Sequence, residues 1–314
     1  GPSGVGGAGA GEVRGYVVPV GQGPSGVVLD AANGRLYVMN RISHDVSIVT
    51  NASTPASAAE ADIVALRFDP SPPEAREGRV FLYDALNTSG HGDSACASCH
   101  IFGDFDSLAW DLGNPFGAVE ENPNPFRVGV PDPIFHPLKG PMTTQSLRGM
   151  ADVGPMHWRG DRTGGASGGD PLDEDLAFKA FNPAFVGLLG RGSQLTATEM
   201  QTFTDFILTV RYPPNPIRAL TDTPTPAQTD GENLFLTNPT DRGVVTCVFC
   251  HSMPFGADGS SSFEGETQEF KIAHLRNLYQ KVGMFRASGN QVRGFGFLHD
   301  GSVVSVFEFV SSSV

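Results

Sequence analysis

The chain of 314 residues contains four cysteines, and they fall into two copies of one pattern, Cys96-Ala-Ser-Cys99-His100 and Cys247-Val-Phe-Cys250-His251. Two thiols held two residues apart and followed at once by an imidazole restrict the chemistry more than any other feature. The spacing lets one turn of chain present both sulfurs to one edge of a porphyrin, where they add to the two vinyl groups while the imidazole reaches the iron. A zinc site would need the two pairs to meet as one closed tetrahedron, and the histidine after each pair would be unnecessary. A dithiol redox centre wants a strand before it and a helix after it, and neither is visible. With no cysteine left over, the pattern reads as two haem c groups, anchored by Cys96, Cys99, Cys247 and Cys250 and ligated by His100 and His251.

A bound haem supplies apolar surface that side chains would otherwise provide. Charged residues make up only 18%, whereas Gly (39) and Pro (24) are plentiful, so loops and short helices wrapped around a cofactor are expected. The net charge of −13 argues against nucleic acid or an anionic membrane as partner and suits a basic patch on a redox protein. No hydrophobic run reaches the length of a membrane span, and residues 1–14 lack the basic start and apolar core of a signal peptide. Haem c is attached outside the cytoplasm. The expectation is therefore a periplasmic or extracellular protein, seen as a mature or incomplete chain, with the apolar run 303–310 as a helix cut short.

Residues 1–63 read as a Gly-rich lead, a β segment and a linker. Three alternating runs, 21–30, 33–40 and 45–49, are separated by Asp/Asn/Gly turns, with Asn33-Gly34 as a hairpin turn. This stretch resembles one blade of the YVTN-type β-propellers, and residues 51–63, rich in Ala, Ser, Thr and Pro, read as the linker. Residues 64–220 and 221–314 are expected to be two haem domains, the first with an insertion. Each motif is preceded by a helical pattern, at 72–83 and 228–236. Ser146-Leu147-Arg148-Gly149 followed by Met156-His157-Trp158-Arg159-Gly160-Asp161 parallels His274-Leu275-Arg276-Asn277 followed by Phe297-Leu298-His299-Asp300-Gly301. Between the two, Thr196 with Glu199 starts an amphipathic helix that ends before Tyr212-Pro-Pro. The fold class expected is mainly α, two cytochrome c-like haem domains with many loops behind a short β segment.

From about residue 70 onward the order of motifs resembles the bacterial di-haem cytochrome c peroxidase and MauG superfamily. The motifs are Cys-x-x-Cys-His, His136 shortly before Lys139-Gly140-Pro141, Leu-Arg-Gly, Trp158-Arg-Gly-Asp, a second Cys-x-x-Cys-His, Phe270-Lys271 with Leu275-Arg276-Asn277, and His299-Asp300-Gly301. The resemblance implies peroxide chemistry at the first haem and a higher-potential relay at the second. It makes His136 the displaceable distal ligand, with His157 as the competitor, and Trp158 an electron relay between the haems. It also implies a calcium ion between domains, although no self-contained EF-type loop is present. Its electron donor would be a small redox protein, a cytochrome c or a cupredoxin, and its substrate hydrogen peroxide.

The sequence departs from the family in two places. The stretch 307–314, where a far ligand for the second haem is expected, holds no Met, Tyr or His, which leaves Met284 as candidate and His299 as a weaker one; Met253 is too close to its own motif. The stretch 181–189, where the peroxidases carry a catalytic Glu, is apolar, so Glu174, Asp173 and Asp161 become substitutes, and Asp104, Asp106 and Asp111 are read mainly as loop residues. Three functions follow: reduction of hydrogen peroxide; electron transfer without an open site, alone or within a larger propeller-containing oxidoreductase; and oxygen activation, as in the rubber-cleaving di-haem oxygenases.

Overall fold

The computed structural model describes residues 15–122, 124, 126–128, 134–167, 169–241, 243–263, 268–281 and 294–311. The chain divides into two compact units, residues 1–96 with 185–193, and residues 97–184 with 194–314.

The first unit is built on a four-stranded antiparallel meander, β1 (Pro24–Asp30), β2 (Arg35–Asn40), β3 (Asp45–Thr50) and β4 (Ala59–Ala65), in sequential order. The three strands expected from the turn pattern are present. Gly34 takes φ +59° in the β1–β2 turn, and the Asp30 carboxylate accepts from the Asn33 backbone N at 3.2 Å and from Asn33 Nδ2 at 2.7 Å. The linker expected over 51–63 is in part β4. Its Ala and Asp residues have little intrinsic strand preference, but β3 offers an open edge, and backbone pairing there decides the conformation. Asn40 and Ser47 are fully buried between strands, where Asn40 Nδ2 donates to Ser47 Oγ at 2.7 Å and to Asp45 Oδ1 at 2.6 Å. The helix Pro73–Tyr83 follows, with proline in its first turn, Glu74 beside the N-terminus, and Phe81 and Leu82 buried.

The second unit contains the helices Glu174–Lys179, Ala197–Thr209 and Pro226–Thr237 and the single turn Cys247–Cys250. The expected capping box is present: Thr196 Oγ1 accepts from Glu199 N at 3.3 Å, and the Glu199 carboxylate accepts from Thr196 N at 2.8 Å. Met200, Phe203 and Ile207 face inward from this helix, and Phe203 meets Phe178 edge-on at 5.0 Å.

The expectation of a mainly α pair of haem domains is not met. Among the described residues thirteen short strands form five sheets, and the longest helix has 13 residues. One loop-rich body holds His100 and the whole second motif. The physical reason is visible between 106 and 126, where Asp and Asn side chains close one turn after another. Asp106, Asp111, Asn114, Asn122 and Asn124 each accept from the backbone N two residues on, at 2.9–3.1 Å. These bonds compete with helix formation and need no periodic pattern. Met142, Trp158 and Phe270 make a core cluster in this unit, with Ala273 packed on it.

Candidate functional site

Each Cys-x-x-Cys-His lies on a tight local turn, a 3-10 turn at Cys96–Ser98 and a helical turn at Cys247–Cys250, and no disulfide joins the four cysteines. Both histidines use Nδ1 in the same way: His100 Nδ1 is 2.8 Å from the Gln145 carbonyl, and His251 Nδ1 is 3.0 Å from the Gly256 carbonyl. A carbonyl oxygen only accepts, so Nδ1 carries the proton in each ring and Nε2 keeps its lone pair. Burial pushes the His100 imidazolium pKa down, which favours that neutral form. Burial, with Asp106, pushes the Cys99 thiol up, the opposite of what a dithiol redox centre requires. Among the described residues no group of three or more His, Cys, Asp or Glu gathers to hold a metal.

These residues fit a covalently held haem. Around the second motif the apolar side chains Leu234, Val244, Phe249 and Met253 are exposed, and the helix Pro226–Thr237 buries none of its residues. A 12-residue helix without a buried face is marginal in water. An apolar ring against the cysteines would cover that surface.

The duplication extends into geometry that motif reading missed. Phe102-Gly103 and Phe255-Gly256 follow the two motifs, with Gly103 at φ +70° and Gly256 at φ +77°. The Leu147 backbone N donates to the Gly103 carbonyl at 3.1 Å, and the Leu275 N lies 3.0 Å from where a Cβ on Gly256 would stand. Arg148 donates to the Phe102 carbonyl at 3.1 Å, and Arg276 stands 4.8 Å over the Phe255 ring. The repeated Phe-Gly dipeptide was the available signal.

The second repeat is closer still. Residues 156–162 and 297–303 have the same backbone: Met156 bridges Arg162 and Phe297 bridges Val303, with His157 and Leu298 at φ +70° and +63°, and Gly160 and Gly301 at +63° and +72°. Chemistry is therefore placed unequally on equal scaffolds, His157 standing where the other copy has Leu298, and Trp158 where it has His299.

His157 Nδ1 lies 2.7 Å from Asp161 Oδ1, and its ring meets Phe181 edge-on at 6.1 Å. Burial opposes the charge on Asp161, but the hydrogen bond and charge of His157, with Arg162 and Lys139, hold its carboxyl well below the usual range. Against this carboxylate Nδ1 donates, so neutral His157 presents an Nε2 lone pair. His157 adds a small charge effect to the burial that lowers the His100 pKa. His136 is exposed and its Nδ1 accepts from the Leu138 N at 3.1 Å, which puts the ring proton on Nε2. Trp158 is buried and donates from Nε1 to the Thr143 carbonyl at 2.8 Å. His299 stacks on Phe270 at 4.3 Å. Met284 lies outside the described residues.

No protein-family model and no curated protein matches the chain. Among solved structures it is similar to a chain of Kuenenia stuttgartiensis hydrazine synthase, from a crystal pressurised with 20 bar xenon. The match has TM-score 0.52 and 17% identity over 76% of this chain and 78% of that one. The likeness is one of fold.

The remaining acids have structural partners. Glu174 accepts from the Gly154 N at 2.7 Å, Asp173 caps its helix through the Leu176 N at 3.0 Å, and Asp104 pairs with Arg148 at 3.1 Å. Asp106 accepts from Trp110 Nε1 at 2.9 Å as well as from the backbone. Among the described residues no helix is long and apolar enough to cross a membrane.

His274 is a pH-sensitive part of this region. Burial first, then the cations Lys271, Arg276 and Lys281, lower its pKa to about 3. The unfolded chain binds a proton here near pH 6.5 while the folded chain does not, so stability is full above about 6.5 and is lost as pH falls toward about 3. Denaturant titrations between pH 6.5 and 5 should show the loss, at up to about 1.4 kcal/mol per pH unit, and a His274→Gln protein should show a flatter profile. Equal slopes in the two proteins would refute the assignment.

Proposed function

We propose that the chain is a di-haem c-type cytochrome that reduces hydrogen peroxide at the haem of its first motif, with electrons relayed from the haem of its second. The observation that carries this reading is the unequal loading of the twin loops: 156–162 offers His157 backed by Asp161, and 297–303 offers Leu298 in the same place.

Cys96, Cys99, Cys247 and Cys250 would anchor the two haems, and His100 and His251 would direct Nε2 to the irons. Haem, when bound, supplies one-electron transfer and, where a coordination position is open, a place for peroxide to bind. The protein's own part is protonic and positional. His157 takes a proton at Nε2 from the incoming peroxide and returns it to the departing oxygen, while Asp161 holds the ring and stabilises its charged form. Hydrogen peroxide, two electrons and two protons give two waters. Trp158, whose indole N–H donates to the Thr143 carbonyl, would serve as the relay. His157 is favoured over His136 because its Nε2 carries a lone pair. The electrons would come from a small cytochrome c or cupredoxin in the periplasm or outside the cell, where haem c is attached.

A second reading, an electron carrier without turnover, is favoured by one observation: the same Nε2 lone pair could occupy the sixth position of the first iron. Optical and EPR spectra of the half-reduced protein separate the two. A high-spin first haem that peroxide reoxidises supports the peroxidase reading, and a first haem that stays low-spin and is unaffected by peroxide refutes it.

A further inference from the structure

Cationic residues adjoin Trp158 in a chain whose net charge is −13. Lys281 Nζ stands 4.7 Å over the indole ring, and the Lys271 backbone N donates to the Trp158 carbonyl at 2.8 Å. Arg159, next in the chain, is 2% exposed, stacks 4.1 Å over Phe135, and leaves its Nε without a partner among the described residues. Other cations in the chain do have carboxylate partners, Arg79 with Asp69 and Arg148 with Asp104 among them. Among the described residues neither Lys271 nor Lys281 has a carboxylate within ion-pair distance. The acid whose charge reaches Lys271, Asp161, is already engaged by His157 and Arg162.

Keeping two half-buried like charges without a counter-ion is unfavourable, and burial lowers both lysine pKa values to about 8, with Lys281 adding to the effect on Lys271. An anion delivered to this place would remove that penalty. Its position narrows the choice. Trp158 belongs to the first of the twin loops, Lys271 to the strand that follows the second motif, and Thr143 joins the two halves by holding the indole and donating from its N to the His299 carbonyl at 2.6 Å. The counter-ion must therefore be reachable from both halves. A haem brings two carboxylates, on the edge opposite its thioether bonds.

We propose that Lys271 and Lys281 pair with the carboxylates of the bound haems. The proposal rests on the di-haem reading above, and the first measurement separates the two. Pyridine haemochrome analysis must give two covalent haems per chain; fewer removes the underlying reading. With two present, spectroelectrochemical titration of Lys271→Met and Lys281→Met should move at least one haem to a lower potential, because the reduced state carries one more electron and loses a nearby cation. Lys271→Arg and Lys281→Arg should keep the wild-type potentials. Unchanged potentials in both Met proteins, with two haems bound, would overturn the proposal. Should the variants not accumulate, redox-difference infrared spectra of the wild-type protein carrying carboxylate-labelled haem read the same contact. Labelled bands of ion-paired carboxylate that respond to reduction are expected, and bands of protonated acid or of freely solvated carboxylate would sink the idea.

Discussion

A His157→Ala protein should keep both haems and consume hydrogen peroxide roughly a hundredfold to ten-thousandfold more slowly than the wild type, the range over which a positioned acid/base acts. Among the described residues the other candidate carboxylates are committed elsewhere. Glu174 and Asp173 are committed to backbone N–H groups, Asp104 to Arg148, and Asp106 to a turn and the Trp110 indole. Asp161→Asn should produce a smaller loss in the same direction. The amide preserves the volume but can turn its NH2 toward His157 Nδ1 and so favour the wrong tautomer, whereas Asp161→Glu should restore part of the rate. Stopped-flow decay of peroxide with pre-reduced protein measures all three. The acid/base role fails if His157→Ala turns over at the wild-type rate. Loss of activity with a new absorption spectrum in the resting protein would instead make His157 an iron ligand, as the carrier reading requires.

Replacing Cys247 and Cys250 together with alanine should reduce the covalent haem from two to one per chain and leave the first haem without its relay. The effect on stability should be as large as that on electron transfer. Leu234, Val244 and Phe249 are exposed around the motif, and covering each with an apolar ring contributes roughly 1.5–3 kcal/mol for a fully buried side chain, less for a partly covered one. Intact-protein mass and haemochrome absorbance read the stoichiometry, and amide exchange over residues 226–237 reads the local stability. Protection of that helix identical to wild type would mean that the cofactor does not cover it.

Several elements could be recognised from local sequence because their causes are local. The two Cys-x-x-Cys-His motifs, the Asn33-Gly34 turn and the Thr196–Glu199 capping box depend on residues within a few positions of one another. The overall class could not be read in the same way. Helical patterns before each motif suggested two mainly α domains, but Asx turns from 106 to 126 and short strand pairs such as Ser261–Ser262 with Phe270–Lys271 obey no period that a scan detects. The strand β4 was hidden likewise, since only the open edge of β3 makes that stretch extended.

The site shows the same division. By itself the sequence determined which residues are candidates for the chemistry: four thiols, the adjacent imidazoles, and His157, His136 and Trp158 around them. Only the tertiary structure decided how these groups are poised. The Gln145 carbonyl, 45 residues from His100, places the proton on that ring, and Asp161 does so for His157. Lys281 reaches Trp158 across more than a hundred residues. Proton position and local charge depend on neighbours within a few ångströms, and folding brings those neighbours from distant parts of the chain.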